Sequence, residues 1–128
     1  MMKVTVANLF KVSLIFLLCA CEHFPSRTGR LTLDKKISDL NLFLPNLKNS
    51  GWVDETNCPK PEFATQIICL DKKVSGSHPI QNYSAKLYTI TGTNDVGADV
   101  FSKTASDDGT GVSSGVDELL QIVKSKPQ

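Results

Sequence analysis

The longest run of hydrophobic positions comes early in the chain. Val12-Ser13-Leu14-Ile15-Phe16-Leu17-Leu18-Cys19-Ala20 follows a start, Met1 to Lys11, with two lysines and no acid. Nine residues rising 1.5 Å each make a helix of roughly 14 Å, less than half the hydrocarbon thickness of a bilayer. A basic start, a short apolar run and a small residue at its end form the pattern of a secretory signal peptide over residues 1–20. A membrane anchor needs about twice that apolar length. The polar stretch Glu22 to Arg30 has one large apolar residue, Phe24, with Pro25 and Gly29. With Cys21 it reads as a tether over residues 21–30, whose nine residues after Cys21 span at most about 30 Å when extended.

Beyond residue 30 the pattern becomes that of a folded domain. Leu33, Ile37, Leu40 and Leu44 recur every three or four residues, one face of a helix with Thr32 as cap, Asp34 in the first turn and Pro45 as stop. Such a stripe can dock a partner helix, but more often it packs on its own core. Asn46 to Gly51 reads as a loop ahead of Trp52-Val53. Ala64 to Leu70 is rich in β-branched residues and bounded by Pro61 and Asp71-Lys72-Lys73, which predicts a buried strand. Tyr83 to Thr89 alternates, with Tyr83, Ala85 and Leu87 facing one way. Gly92 to Asp95 is turn chemistry, and Val96 to Thr104 supplies another strand around Val100-Phe101. Ala105 to Gly111 reads as a polar surface loop. Val116 to Lys124 predicts a helix, with Ser114 and Asp117 suiting a capped start and Lys124, Lys126 and Pro127 at its end. The expectation is a single small α+β domain over residues 31–128: an N-terminal helix, three to four short antiparallel strands and a C-terminal helix.

Leu18-Cys19-Ala20-Cys21 resembles the bacterial lipobox: an aliphatic residue, a tolerant position, a small residue and an obligatory cysteine. The resemblance covers residues 1 to 21. It implies a lipoprotein in which the Cys21 thiol accepts a diacylglyceryl group, signal peptidase II cuts before Cys21, and the new amine is often acylated as well. Cys19 falls at the tolerant position, and the bulky Leu18 before it rules it out as acceptor. One residue between Cys19 and Cys21 also suits neither a CxxC redox motif nor ordinary disulfide geometry. Each buried acyl methylene contributes ~0.8 kcal/mol, so two or three chains hold a protein in a membrane essentially permanently. Glu22 follows the cysteine where Asp retains enterobacterial lipoproteins in the inner membrane, so the resemblance implies the outer membrane, facing the periplasm.

Charge changes this picture little. The chain has 14 Lys plus Arg against 13 Asp plus Glu, and a cut before Cys21 leaves 12 basic and 13 acidic side chains. There is no basic excess to read as a nucleic-acid footprint. The remaining 108 residues can bury only a small core with little surplus stability. Cys58 and Cys69 remain, and in an oxidising periplasm two such cysteines normally pair, closing a loop that contributes about 3 kcal/mol. A metal site would lack ligands, because only His23 and His78 are available and neither has zinc-like spacing. A redox switch would prefer closer spacing.

Several motifs lead to no catalytic set. Gly111-Val112-Ser113-Ser114-Gly115 matches the G-x-S-x-G nucleophile elbow, but that elbow needs a strand before it and a histidine after it, and both histidines come earlier. Asp107-Asp108-Gly109 lacks the alternating ligands and distal Glu of a calcium loop. Gly109-Thr110-Gly111 is not completed by the Gly-Lys-Ser/Thr of a P-loop. Asp54, Glu55 and Glu62 read as solvated acids, His78 before Pro79 as a turn residue, and the lone Trp52 as core. No catalytic residue, metal site or cofactor is expected.

Cys69-Leu70-Asp71-Lys72-Lys73-Val74-Ser75-Gly76-Ser77, with Val96-Gly97-Ala98-Asp99-Val100 downstream, is similar to small outer-membrane lipoproteins related to the Rcs envelope-stress sensor. That resemblance implies a helix over residues 82–93, whereas Thr89-Ile90-Thr91-Gly92-Thr93 alternates as a strand. It transfers no functional residue. The leading expectation is a non-catalytic interaction module: an adaptor, sensor or accessory subunit of an envelope machine. Its partners would be the bilayer, through acylated Cys21, and an unidentified envelope protein, with no nucleic acid. The alternative is a lipid-anchored inhibitor or exclusion factor that blocks a periplasmic enzyme or receptor with a loop such as Ala105 to Gly115. An enzyme is a third class, for which no paired acid/base or nucleophile set is visible.

Overall fold

A computed structural model of the chain describes residues 24–74, 81–104 and 108–125. The signal-like segment, Cys21, His23 and His78 lie outside the described residues, as does part of the 105–111 loop. Three strands with strong β-branched and aromatic content form an antiparallel meander: β3 (Ala64–Val74), β4 (Gln81–Ile90) and β5 (Asp95–Ser102). Strand β1 (Ser26–Thr32) adds antiparallel to β5, and the two-residue β2 (Val53–Asp54) adds to β3. The sheet order is β1-β5-β4-β3-β2.

Register decides which side chains share a face, because successive residues of a strand point to opposite sides. Ile68, Leu87, Ala98 and Gly29 lie opposite one another across four strands, and Leu70, Ala85 and Val100 form the neighbouring column. All but Gly29 are buried. Helix α2 (Thr110–Lys124) covers this face with Val112, Val116, Leu119 and Val123, spaced four, three and four. A 3-10 turn at Leu40–Phe43 runs directly into the short helix α1 (Leu44–Asn49), and together they bring Leu40, Phe43 and Leu47 to the core. Trp52 is buried beside them, with its indole N–H donating to Glu118 Oε1 at 2.6 Å.

The architecture is thus a small single α+β domain with one five-stranded antiparallel sheet, two helices and the Cys58–Cys69 disulfide. Its details depart from the sequence pattern: the sheet has five strands rather than three to four, because β1 and the two-residue β2 add at its edges, and several elements lie elsewhere. No helix spans Leu33 to Leu44: Leu33 and Ile37 reach the core from an irregular segment, and helical structure starts only at Leu40. Pro45 opens α1 rather than stopping a helix, since a first-turn proline loses no hydrogen bond. Asn46 to Asn49 is therefore helix, not loop. The segment read as a tether is strand from Ser26 onward, so the folded domain begins earlier than residue 31. Helix α2 starts at Thr110, six residues before Val116, and takes in the segment read as loop up to Gly115. Residues 82–93, helical if the Rcs-related arrangement held, are instead β4 and the turn after it.

Candidate functional site

The two faces of the sheet have different fates. One is consumed by the core under α1 and α2. The other carries the alternate residues of the same strands, in columns fixed by register: Ile67–Tyr88–Gly97–Arg30, then Cys69–Lys86–Asp99–Thr28, then Asp71–Ser84–Phe101–Ser26. No helix covers these columns among the described residues. A single segment does, the chain from Glu55 to Phe63.

That segment is pinned at several points. Glu55 N–H donates to the Cys69 carbonyl at 2.8 Å, and the Cys58–Cys69 disulfide ties the next turn to the same residue of β3. Thr91 N–H donates to the Phe63 carbonyl at 3.0 Å, and Ala64 N–H to the Pro61 carbonyl at 3.2 Å. Between the pins, Pro59, Lys60 and Pro61 stand over the sheet. They enclose a groove of about 370 Å³ with Phe63, Ile67, Lys86, Tyr88 and Asp99.

Tyr88 forms the floor. Its ring meets that of Phe63 edge-on, centroids 5.5 Å apart at 74°, and its hydroxyl donates to Asp99 Oδ1 at 3.1 Å. Burial, reinforced by the Asp99 charge, raises the Tyr88 phenol above its ordinary value, and Arg30 partly opposes this. Phe63, by contrast, is 55 % exposed. Lys86 and Asp99 lie opposite each other in register, so the groove has one positive and one negative side chain beside an aromatic and aliphatic wall. Such a surface holds a ligand by burying an apolar group while its polar ends set orientation.

Arg30 and Thr32 of β1 both hold Asp95. Arg30 Nε donates to Oδ2 at 2.6 Å, and Thr32 Oγ1 to Oδ1 at 2.6 Å. The Thr32 bond, then the Arg30 bond, keep the Asp95 carboxyl below the usual range. Asp39 is lowered in the same way, chiefly by Gln66. Gln66 Nε2 donates to Asp39 Oδ1 at 2.8 Å while its Oε1 accepts from Leu40 N–H at 2.7 Å, which fixes the 3-10 turn to the sheet.

The residues singled out from the sequence are scattered. Cys58 and Cys69 are bonded and frame the groove. Ser113 of the G-x-S-x-G string lies inside α2, not on a strand-to-helix elbow. The string has a packing role instead. A Cβ on Gly111 would overlap the Tyr83 hydroxyl and ring, and one on Gly115 would come within 3.1 Å of Val100 Cγ1. Asp108 Oδ1 accepts from Thr110 N–H at 3.0 Å and from Thr110 Oγ1 at 2.7 Å, which holds its carboxyl low at the start of α2. Asp54, Glu55 and Glu62 are exposed and converge on no common cleft. Among the described residues no group of three or more His, Cys, Asp or Glu side chains is placed to hold a metal ion. No helix among them is long and apolar enough to cross a membrane.

Sequence reasoning missed Phe63, Ile67, Lys86, Tyr88 and Asp99 as a set, because they meet only through the register of three strands. One signal was present: with Tyr83, Ala85 and Leu87 facing inward, the large aromatic Tyr88 must face the other way. No family model, curated protein or solved structure matches this chain.

Proposed function

We propose that this protein is a lipid-anchored, non-catalytic binding module of the bacterial envelope. In this reading Cys21 carries the acyl chains, the anchored leaflet is that of the outer membrane, and the domain faces the periplasm. The module offers the groove on its open sheet face to an envelope protein. The observation that carries the reading is the stapled segment Glu55–Phe63, held by the disulfide and by main-chain bonds at both ends. It leaves Phe63 half exposed over a buried Tyr88. Exposed aromatic rings beside a preformed cleft supply contact area at low entropic cost.

The groove fits an apolar side chain on an extended segment, with a carboxylate reaching Lys86 or a cation reaching Asp99. Photocrosslinking in intact envelopes tests this, with the probe at Phe63 and, as control, at Gln121 on the exposed side of α2. A discrete adduct from position 63 that is absent from position 121 is the expected result, and Ile67→Asp in the groove abolishes it. Equal labelling from both positions would show that the groove is not the binding surface.

A further inference from the structure

We propose that the end of the sheet where β1 begins and β5 ends rests against the lipid bilayer, with Phe24 and Phe101 at the membrane surface. The proposal rests on the Cys21 anchor of the preceding reading. Only Glu22 and His23 separate Cys21 from Phe24. The sheet has already begun at the next residue, since the Pro25 carbonyl accepts from Ser102 N–H at 2.9 Å and Ser26 lies opposite Phe101. Four steps of chain, Cys21 to Pro25, reach at most about 14 Å. An acylated Cys21 sits at the headgroup level, so this end of the domain is confined to within that reach of the membrane.

The surface at this end suits the neighbour. Phe24 is 51 % exposed and Phe101 38 %, and both are among the few large hydrophobic side chains left open to solvent in the described residues. Exposed Arg27 and Lys73 lie on the same end, and Lys103 is paired there with Asp71 at 3.2 Å. Among the described residues, Asp108 at the start of α2 is already engaged by Thr110. Aromatic rings flanked by basic side chains are the composition that settles at the headgroup boundary.

The same placement sets the distance of the groove from the bilayer. Gly97, opposite Tyr88, is four residues along β5 from Phe101, about 13 Å further from the membrane end. The partner site shares its sheet face with Phe101 but lies further along the strands from the bilayer end, with Asp99 two residues and Gly97 four residues from Phe101.

Tryptophan probes in the full, membrane-extracted protein test the contact. Phe24→Trp, Phe101→Trp and Phe63→Trp are each reconstituted into phosphatidylethanolamine–phosphatidylglycerol vesicles with and without brominated acyl chains, with Trp52 as the common background. All three side chains are partly exposed, and circular dichroism matching the parent confirms that each variant keeps the fold. Bromolipid should cut the added emission at positions 24 and 101 roughly by half and leave position 63 unchanged. Position 101 decides, because position 24 stays near the anchor in any orientation. An acylated protein in which Phe101→Trp is quenched no more than Phe63→Trp overturns the bilayer contact and leaves the anchor standing. An intact mass without acylation at Cys21 removes the anchor and the contact together.

Discussion

The ring of Tyr88 occupies the space that a side chain on Gly97 would need: a Cβ at that glycine would overlap Tyr88 Cε2, Cζ and the hydroxyl. The two residues are opposite each other in register, so the smallest residue of β5 makes room for the largest of β4 on the open face. The floor of the groove depends on this exchange.

Gly97→Ala should therefore destabilise the domain, although alanine suits a strand at least as well as glycine. Displacing a ring that is 8 % exposed and bonded to Asp99 costs about 1–3 kcal/mol, as overpacking generally does. Urea titration followed by near-ultraviolet circular dichroism checks both the midpoint and the Tyr88 environment. An unchanged midpoint would show that the ring is not seated against Gly97.

Removing the staple should have a larger effect. The Cys58–Cys69 bond closes a loop with a sequence separation of 11, and loss of such a constraint costs about 3 kcal/mol on the chain-entropy account. Cys58→Ser with Cys69→Ser, or reduction of the parent, should lower the urea midpoint to match. Crosslinking from Phe63 should weaken as well, since the Pro59–Pro61 wall then hangs from main-chain bonds alone.

The Trp52–Glu118–Lys72 cluster ties α2 to the sheet. Glu118 Oε1 accepts from both Trp52 Nε1 and Lys72 Nζ, at 2.6 and 2.8 Å, and the ammonium lies 5.3 Å from the indole centroid. Glu118→Ala leaves a buried N–H without its acceptor and should cost about 1–3 kcal/mol. Glu118→Gln keeps an acceptor for the indole and should cost less. Thermal denaturation monitored by Trp52 fluorescence separates the two.

Two pH effects of opposite sign follow from the carboxylates and the phenol. Asp95, Asp39 and Asp108 are held low in the folded state, Asp95 by Thr32 then Arg30, Asp39 by Gln66 and Asp108 by Thr110. Their contribution is complete above the ordinary carboxylate range of about pH 4 and is lost as pH falls through the lowered folded values. Thr32→Val should blunt this acid sensitivity. Tyr88 is raised by burial and then by Asp99, so its contribution is complete below the ordinary phenol value of about 10 and is lost as pH rises through the folded value. Ultraviolet titration should find the Tyr88 phenolate forming late, and Asp99→Asn should bring it earlier.

How far the sequence carries depends on where each element finds its partners. Ala64–Leu70, Tyr83–Thr89 and the Val96 strand are legible because β-branched and aromatic residues alternate locally, and Val116–Lys124 because its apolar residues repeat at helical spacing. Strand β1 was not legible. Its seven residues are mostly exposed, and it is a strand only because β5, more than sixty residues away, offers it an edge. Strand β3 runs past the charged Asp71-Lys72-Lys73 because two of those charges are satisfied: Asp71 by Ser84 and Lys103, Lys72 by Glu118. The spacing of Leu33, Ile37, Leu40 and Leu44 imitates a helix, yet the true helical face is Leu40, Phe43 and Leu47, entered through Asp39 and Pro45. Of the groove, only its frame was readable, through Cys58 and Cys69. Its floor is a property of register, which no local pattern encodes.

The most direct test of a lipid-anchored, disulfide-stapled module is the intact mass of the protein extracted from membranes, taken before and after reduction with thiol alkylation. The expected result is a chain beginning at an acylated Cys21 in which two alkylatable thiols, Cys58 and Cys69, appear only after reduction. A full-length, unacylated chain with free thiols would contradict the account, and the proposed envelope role would fall with it.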